Sequence, residues 1–387
     1  MASCINGIRV LDLSRHQAGP RCSMMLGDLG AEVIKVERPG GEETRRSGPF
    51  VNNQSVYFSA YNRGKKSICL DLRCSEGREV FFDLLRTADI VVENFKPGTL
   101  ERMALGYEEL VKVKPDIILV RVSGFGQTGP YRDRPGFDPV GQAMSGLMTL
   151  TGTGTTDGKP VGTAFSLIDR MTALHATIGA LAALRHRDET GTGQVVDTCL
   201  MDVALTTTEI PTSYFLSTRT VGGEEGRPAY EAKDGWVVIA AGANEKMQRA
   251  LAETVGSNRD GTGTGTAEKA GASYFGVRIP ELMAWCRHRT VSEICEHFLA
   301  LGVPVAPVLT IPEVAKDPHL WQRKMLIRTE DPVAGQMFLP GLSIKFSKTP
   351  GTTGRVPMPG EHSMEILTDL LHYSGEKIDA LKSRSVI

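Results

Sequence analysis

At 387 residues the chain is long enough for two or three domains of ordinary size. Hydrophobic residues make up 41% and charged residues 23%, the balance of a globular chain that buries real cores. The net charge is -1, so charge gives no case for a nucleic acid or an anionic membrane as partner.

The first 125 residues alternate apolar runs with helical patterns. IRVLDL (8–13) reads as a strand, followed by a helix of small residues around Arg21 to Leu29. AEVIKVE (31–37) and SICLDL (67–72) are the next strands. The helix SEGREVFFDLLRTA (75–88), the strand DIVVEN (89–94), two short helices and the strand DIILVRV (116–122) complete the pattern. Strands this continuously apolar are buried on both faces, and helical connections make them parallel. The expected class is α/β with a doubly wound, Rossmann-like sheet.

TGTGTTDG (151–158) then breaks the pattern, and a long helix follows in LIDRMTALHATIGALAALRHR (167–187). Met171, Leu174, Ile178 and Leu181 fall on one helical face, alanines fill the rest, and Arg185, His186 and Arg187 suit the last turn. VVDTCLMDVALTTTEI (195–210) reads as a strand running into a helix. A different unit begins near DGWVVIAAG (234–242) and carries a second loose stretch, GSNRDGTGTGTAEKAG (256–271), expected to be a mobile surface loop. In TVSEICEHFLALG (290–302), Thr290 and Glu293 have capping-box spacing. VPVAPVLT (303–310) is a strand, and the tail holds extended segments at 326–330 and 335–339 and short helices near 363–371 and 375–383.

The seven cysteines are odd in number, form no CxxC and keep no histidine cluster, which argues against a disulfide framework or a zinc site. The N-terminus lacks a signal-peptide core, and no apolar run approaches the roughly 20 residues of a membrane span. A cytoplasmic location is expected, an organelle matrix being the secondary alternative.

Two glycine motifs mislead. GFGQTG (124–129) has dinucleotide-binding spacing, but Pro130 and Pro135 prevent the helix that motif must open. GTGTTDGKP (152–160) lacks P-loop spacing. The basic residues are more informative. Arg38, Arg45, Arg46 and Arg73 follow the second and third strands, and Arg102 follows NFKPG. Each taken singly reads as a solvated surface residue. Together at one sheet edge they suit an anionic nucleotide such as coenzyme A. His16 follows the first strand, where ligands bind in such sheets. Asp138, in GFDPVGQ, reads as a turn residue or cap, or as a functional acid. Asp169 opens the long helix, either as its N-cap or as a nucleophile kept ionised by the helix N-terminus.

QAGPRCSMMLGDLGAEVIKVERP, NRGKKSICLDL, VENFKPGTLERMALGYEEL, SGFGQTGPYRDRPGFDPVGQAMSGLM, DRMTALHATIGALAALRHRDETGTGQ and the closing GEHSMEILTDLLHYSGEKIDALKS give the chain a resemblance to the class III CoA-transferases. That family includes formyl-CoA transferase, carnitine CoA-transferase and α-methylacyl-CoA racemase, and the resemblance spans essentially the whole chain. It implies that Asp169 is the catalytic aspartate, carrying CoA between acids through an anhydride and a thioester. It implies CoA-binding roles for His16, Gln17, Ala18, Arg38, Leu70, Arg73, Asn94, Phe95, Lys96, Arg102 and Met103. Asp138 would be an acid near the reacting centre. Gly242, Ala243 and Asn244 are a weak counterpart of the family's glycine loop, which argues against formyl-CoA and oxalate. Phe137 replaces the racemase histidine and cannot move a proton. The alternatives are racemase activity and a non-catalytic CoA-binding protein.

The resemblance further implies a large CoA-binding domain from 1–220 with 320–387 and a smaller α+β domain from 225–315. Ring-shaped chains would interlock as a homodimer. CoA thioesters would be substrates, with no tightly bound cofactor or metal. Succinyl-CoA is the expected donor, and a dicarboxylate such as glutarate or itaconate the expected acceptor.

Overall fold

The computed structural model describes residues 3–152, 158–222, 229–240, 244–256, 273–274 and 277–387. Most of the two glycine- and threonine-rich loops anticipated above, at 153–157 and 257–271, lies outside the described residues. The chain divides into two compact units, Met1–Gly223 with Pro318–Ile387, and Glu224–Asp317.

The larger unit is built on six parallel strands: β1 (Arg9–Asp12), β2 (Glu32–Glu37), β3 (Lys66–Cys69), β4 (Ile90–Glu93), β5 (Ile118–Ser123) and β6 (Val195–Cys199). Their order in the sheet is β3-β2-β1-β4-β5-β6. That is the doubly wound order, with its topological switch point between β1 and β4. Successive side chains of a strand point to opposite faces, and here both faces are apolar. Leu11, Ile34, Ile68, Val91 and Leu119 pack on one side, against Phe81 and Leu84 of α3 (Ser75–Leu85) and the C-terminal Ile366 and Leu381. Val10, Val33, Ile90, Ile118 and Val120 pack on the other. Three more helices matter below: α1 (Ala18–Asp28), α2 (Val56–Asn62) and α4 (Asp138–Met144).

The long helix α5 runs Leu167–Thr190 and ends at Gly191, in the left-handed conformation. It inverts the expected apolar face. Ala173, Ala176, Ala180 and Ala183 enter the core, while Leu174 and Ile178 are 41% and 65% exposed. Close approach explains the inversion, because a Cβ on Gly179 would lie only 2.6 Å from Val196 of β6. Small residues let α5 lie flat on the sheet, and larger ones are turned outward. By length and composition alone α5 could cross a membrane, which amends the expectation that no segment approaches a span. Its alanine face instead forms part of a packed core.

In the smaller unit β7 (Tyr230–Glu231), β8 (Trp236–Ile239) and β9 (Val305–Pro307) form an antiparallel sheet with β8 central. Tyr230, Val237, Leu251, Cys286, Ile294 and Phe298 make its core. The helix Val291–Ala300 begins with the Thr290–Glu293 capping box that the spacing predicts.

Candidate active site

The site begins at the switch point, where the chain leaves β1 and β4. The Arg15 amide donates to Asn94 Oδ1 at 2.8 Å, and Asn94 Nδ2 donates to the Arg15 carbonyl at 2.6 Å. This reciprocal pair ties the two strand exits together. Arg15 also lies over the Phe95 ring, 4.9 Å from its centroid. His16 is exposed and adopts φ +65°, a strained turn of the kind that recurs at ligand sites. Its Nε2 is 3.5 Å from Glu43 Oε1, and its ring stands edge-on to Phe137 at 6.0 Å.

Gln17 carries the connection to α5. Its Nε2 donates to Ser166 Oγ at 3.0 Å, and its Oε1 accepts from the Tyr61 hydroxyl at 3.0 Å. Ser166 is the residue at the N-cap position of α5. Asp169 is therefore the third helical residue, and the cap reading is corrected. Its amide donates to Asp138 Oδ1 at 3.0 Å, so a second carboxylate occupies the helix end.

Asp138 opens α4 and is buried. One turn on, Gln142 Nε2 donates to Asp138 Oδ2 and, at 2.9 Å, to Thr163 Oγ1. Gln142 Oε1 accepts from the Thr163 amide at 2.9 Å. Asp138 is thus held on both oxygens. The Asp169 side chain has no hydrogen-bond partner among the described residues. Burial pushes its pKa up to about 7, the neighbouring Asp138 pushes the same way, and Arg170 opposes them. The helix N-terminus does not keep this carboxyl fully ionised at neutral pH, because desolvation and a like charge outweigh it. Tyr57 stands edge-on to Tyr61 at 5.5 Å, and burial pushes its phenol up to about 12, with Asp169 adding to the rise.

The other expected residues divide by environment. Asn94, Phe95, Gln17 and His16 meet at the switch point as described. Ala18 and Leu70 are buried in the cores, so a ligand could meet only their backbone. Met103 is half-buried against the sheet core. Arg38, Lys96 and Arg102 are exposed, with Arg38 Nε donating to the Gly41 carbonyl and Arg102 Nη2 to Thr99 Oγ1. Arg73 is exposed and paired with Asp71 through two hydrogen bonds. Arg45 leaves the anionic-ligand set, because it is bound to buried Glu37 and stacked 3.8 Å over Phe58. Gly242 and Ala243 lie outside the described residues, and Asn244 caps Glu245–Val255 by accepting from the amides of Lys246 and Met247. No helix opens after GFGQTG until Asp138; the Gly126 amide instead donates to Ser123 Oγ. Tyr61, Gln142, Thr163 and Ser166 were not singled out from sequence. Only the i, i+4 spacing of Asp138 and Gln142 could have flagged one of them.

Residues 5–363 match the model of CoA-transferase family III. The chain is 35% identical to the succinyl-CoA–L-malate CoA-transferase beta subunit of Chloroflexus aurantiacus, covering 98% of this chain and 97% of the relative. It is 33% identical to the succinyl-CoA:glutarate CoA-transferase of Homo sapiens, covering 99% and 90%. A crystal structure of a CaiB/BaiF family protein from Brucella suis superposes with a TM-score of 0.81 at 31% identity, covering 96% and 100%. The chain belongs to CoA-transferase family III and is an enzyme of that class.

Proposed function

We propose that the enzyme moves CoA from succinyl-CoA to a small dicarboxylic acid through covalent intermediates on Asp169. The observation that carries this reading is the Asp169 carboxyl itself. It is half-buried, unpartnered among the described residues and raised to about 7, while its backbone is fixed by Asp138. A carboxylate with reduced solvation and no hydrogen bonds is a stronger nucleophile than one in water. The names of the relatives support the succinyl donor and a diacid acceptor, with malate and glutarate as two examples.

In this reading the Asp169 carboxylate attacks the donor's thioester carbonyl and expels CoA thiolate, leaving a mixed anhydride. The thiolate attacks the aspartyl carbonyl, expels succinate and forms an aspartyl-CoA thioester. The acceptor carboxylate then attacks that thioester and expels the thiolate, forming a second anhydride. Attack of the thiolate on the acceptor's carbonyl releases the new acyl-CoA and restores Asp169. No electrons change hands, and water must be kept out, since it would hydrolyse every intermediate. His16, Gln17, Arg38, Asn94, Phe95, Lys96 and Arg102, together with Arg73, would hold CoA along the sheet edge.

The test is to incubate the protein with succinyl-CoA and a panel of mono- and dicarboxylic acids, following new thioesters by mass spectrometry. Hydroxylamine or borohydride trapping then locates the adduct. A new dicarboxylyl-CoA and modification at Asp169 are expected. No new thioester from any acid refutes transfer, and modification at another residue refutes the mechanism. The family resemblance also supports an interlocked homodimer, which sedimentation of the pure protein as a monomer would overturn.

A further inference from the structure

A cavity of about 320 Å³ lies against α1, α2 and α5, walled by Met24, Met25, Leu29, Leu342 and Ile344. Three arginines line it, Arg21, Arg63 and Arg170, and the acid among the lining residues is Asp28. Arg63 is matched, through a two-pronged pair with Asp28. Arg21 and Arg170 have no ion pair among the described residues. The Nε of each is buried without a hydrogen-bond partner. Arg170 rests on the Phe165 ring at 4.8 Å, a contact that fixes the side chain without neutralising it. Burial pulls the Arg21 pKa down, Tyr61 and Asp28 oppose it, and the nearby charges of Arg170 and Arg63 add to the fall.

Two half-buried guanidinium groups without an ion pair among the described residues, with Asp28 and Asp169 acting on them only at longer range, favour an anion that joins them. Their planar forks match a carboxylate or a phosphate. The methionine and leucine walls suit a short aliphatic chain behind such a group, and the volume suits a small acid. The cavity is linked to the candidate nucleophile through Arg170, which lines it and whose charge acts on the Asp169 carboxyl. Arg170 directly follows Asp169, with Cα atoms about 3.8 Å apart. Tyr61 lines the cavity and donates to Gln17, which in turn reaches Ser166 at the head of α5.

We propose that Arg21 and Arg170 grip the non-reacting carboxylate of a dicarboxylate substrate while its other carboxyl group reacts at Asp169. This rests on the transferase reading and deepens it. The two arginines become the residues that separate diacids from monoacids of the same length. Because donor and acceptor take turns at one site, the same grip serves the free carboxylate of succinyl-CoA.

The test compares wild type with Arg21→Met, Arg170→Met and Arg170→Lys. The readings are kcat/KM for succinyl-CoA against butyryl-CoA, and for glutarate against pentanoate. Loss of one charged hydrogen-bonding group should cut the preference for the diacid roughly ten- to hundredfold. The change should fall mainly on KM, with Arg170→Lys restoring part of it. An undiminished preference in variants that melt like wild type overturns the proposal. If the methionine variants do not fold, calorimetry on the wild-type protein decides: glutarate should bind and pentanoate should not. Equal binding of both acids, binding of neither, or displacement of glutarate by equimolar phosphate overturns it. A wild type that transfers CoA to no acid sinks the transferase reading, and the calorimetry still reports on the cavity by itself.

Discussion

Two aspartates of the larger unit, Asp12 fully buried and Asp169 half-buried, respond to desolvation in opposite ways. Asp12, at the end of β1, is fully buried and surrounded by compensation. Lys65 Nζ lies 2.8 Å from its Oδ2, Lys35 Nζ lies 3.8 Å away, and the hydroxyls of Ser14 and Ser23 donate to it. Burial alone would raise its pKa, but the two lysines together hold it well below the usual carboxylate range. The lysines themselves differ. Lys35 also pairs with Glu42 and is raised, whereas burial outweighs Asp12 at Lys65 and pulls it down to about 8. Asp169 faces no such partner among the described residues and has a second acid beside it, so its pKa moves up to about 7. Matched charge makes a structural strut at Asp12, and unmatched charge leaves reactivity at Asp169.

Exchanging each acid for its amide tests the contrast most severely. Asp12→Asn leaves Lys65 buried among neutral groups and Lys35 with Glu42 as its one remaining ion-pair partner among the described residues. It should cost about 3–5 kcal/mol in denaturant unfolding at pH 7. Asp169→Asn should abolish transfer, by more than about a thousandfold, without that loss of stability. The pH dependence separates the two further. The folded-state pKa of Asp12 is depressed, so its stabilising contribution is present above the ordinary aspartate pKa and fades in strong acid. The Asp169 pKa is raised, so wild type loses that group's contribution as pH climbs from about 4 to about 7. The Asp169→Asn variant should therefore gain on wild type across that range and keep the advantage at pH 8. Equal destabilisation by the two amides would erase the contrast.

A smaller effect sharpens it. Asp138→Asn keeps an oxygen to accept the Asp169 amide but removes the like charge. The ionised Asp169 is the attacking form, so wild-type turnover should rise with pH through about 7. In the variant that midpoint should fall, because one of the two causes of the rise is gone. The rate at pH 6, as a fraction of the variant's own plateau, should grow roughly three- to tenfold. An unchanged midpoint would leave burial alone as the cause.

The alternation of apolar strands and helices was enough to read the α/β class, and both apolar faces of β1, β2, β4 and β5 are written in their residues. The α5 segment was legible as a helix but not in its orientation. A hydrophobic stripe suggested Leu174 and Ile178 as its inner face, whereas the fit of Gly179 against Val196 turned the alanines inward. Asp169 and Asp138 were both legible as acids of interest from the motifs around them. What drew them together was the packing of α4 on α5, which no spacing across 31 residues encodes.

Local chemistry is set by the chain: which segments can bury both faces, where a helix can begin, which side chains can carry charge. The sequence by itself therefore determined the strand and helix pattern, the thiols and the pool of candidate acids and arginines. Only the tertiary structure decided which charges were neutralised. Arg45 found Glu37, Arg63 found Asp28 and Asp12 found two lysines, while Asp169, Arg21 and Arg170 were left without an ion-pair partner among the described residues. Neutralisation depends on distances of a few ångströms between residues far apart in the chain, and those distances exist only once the helices have packed on the sheet.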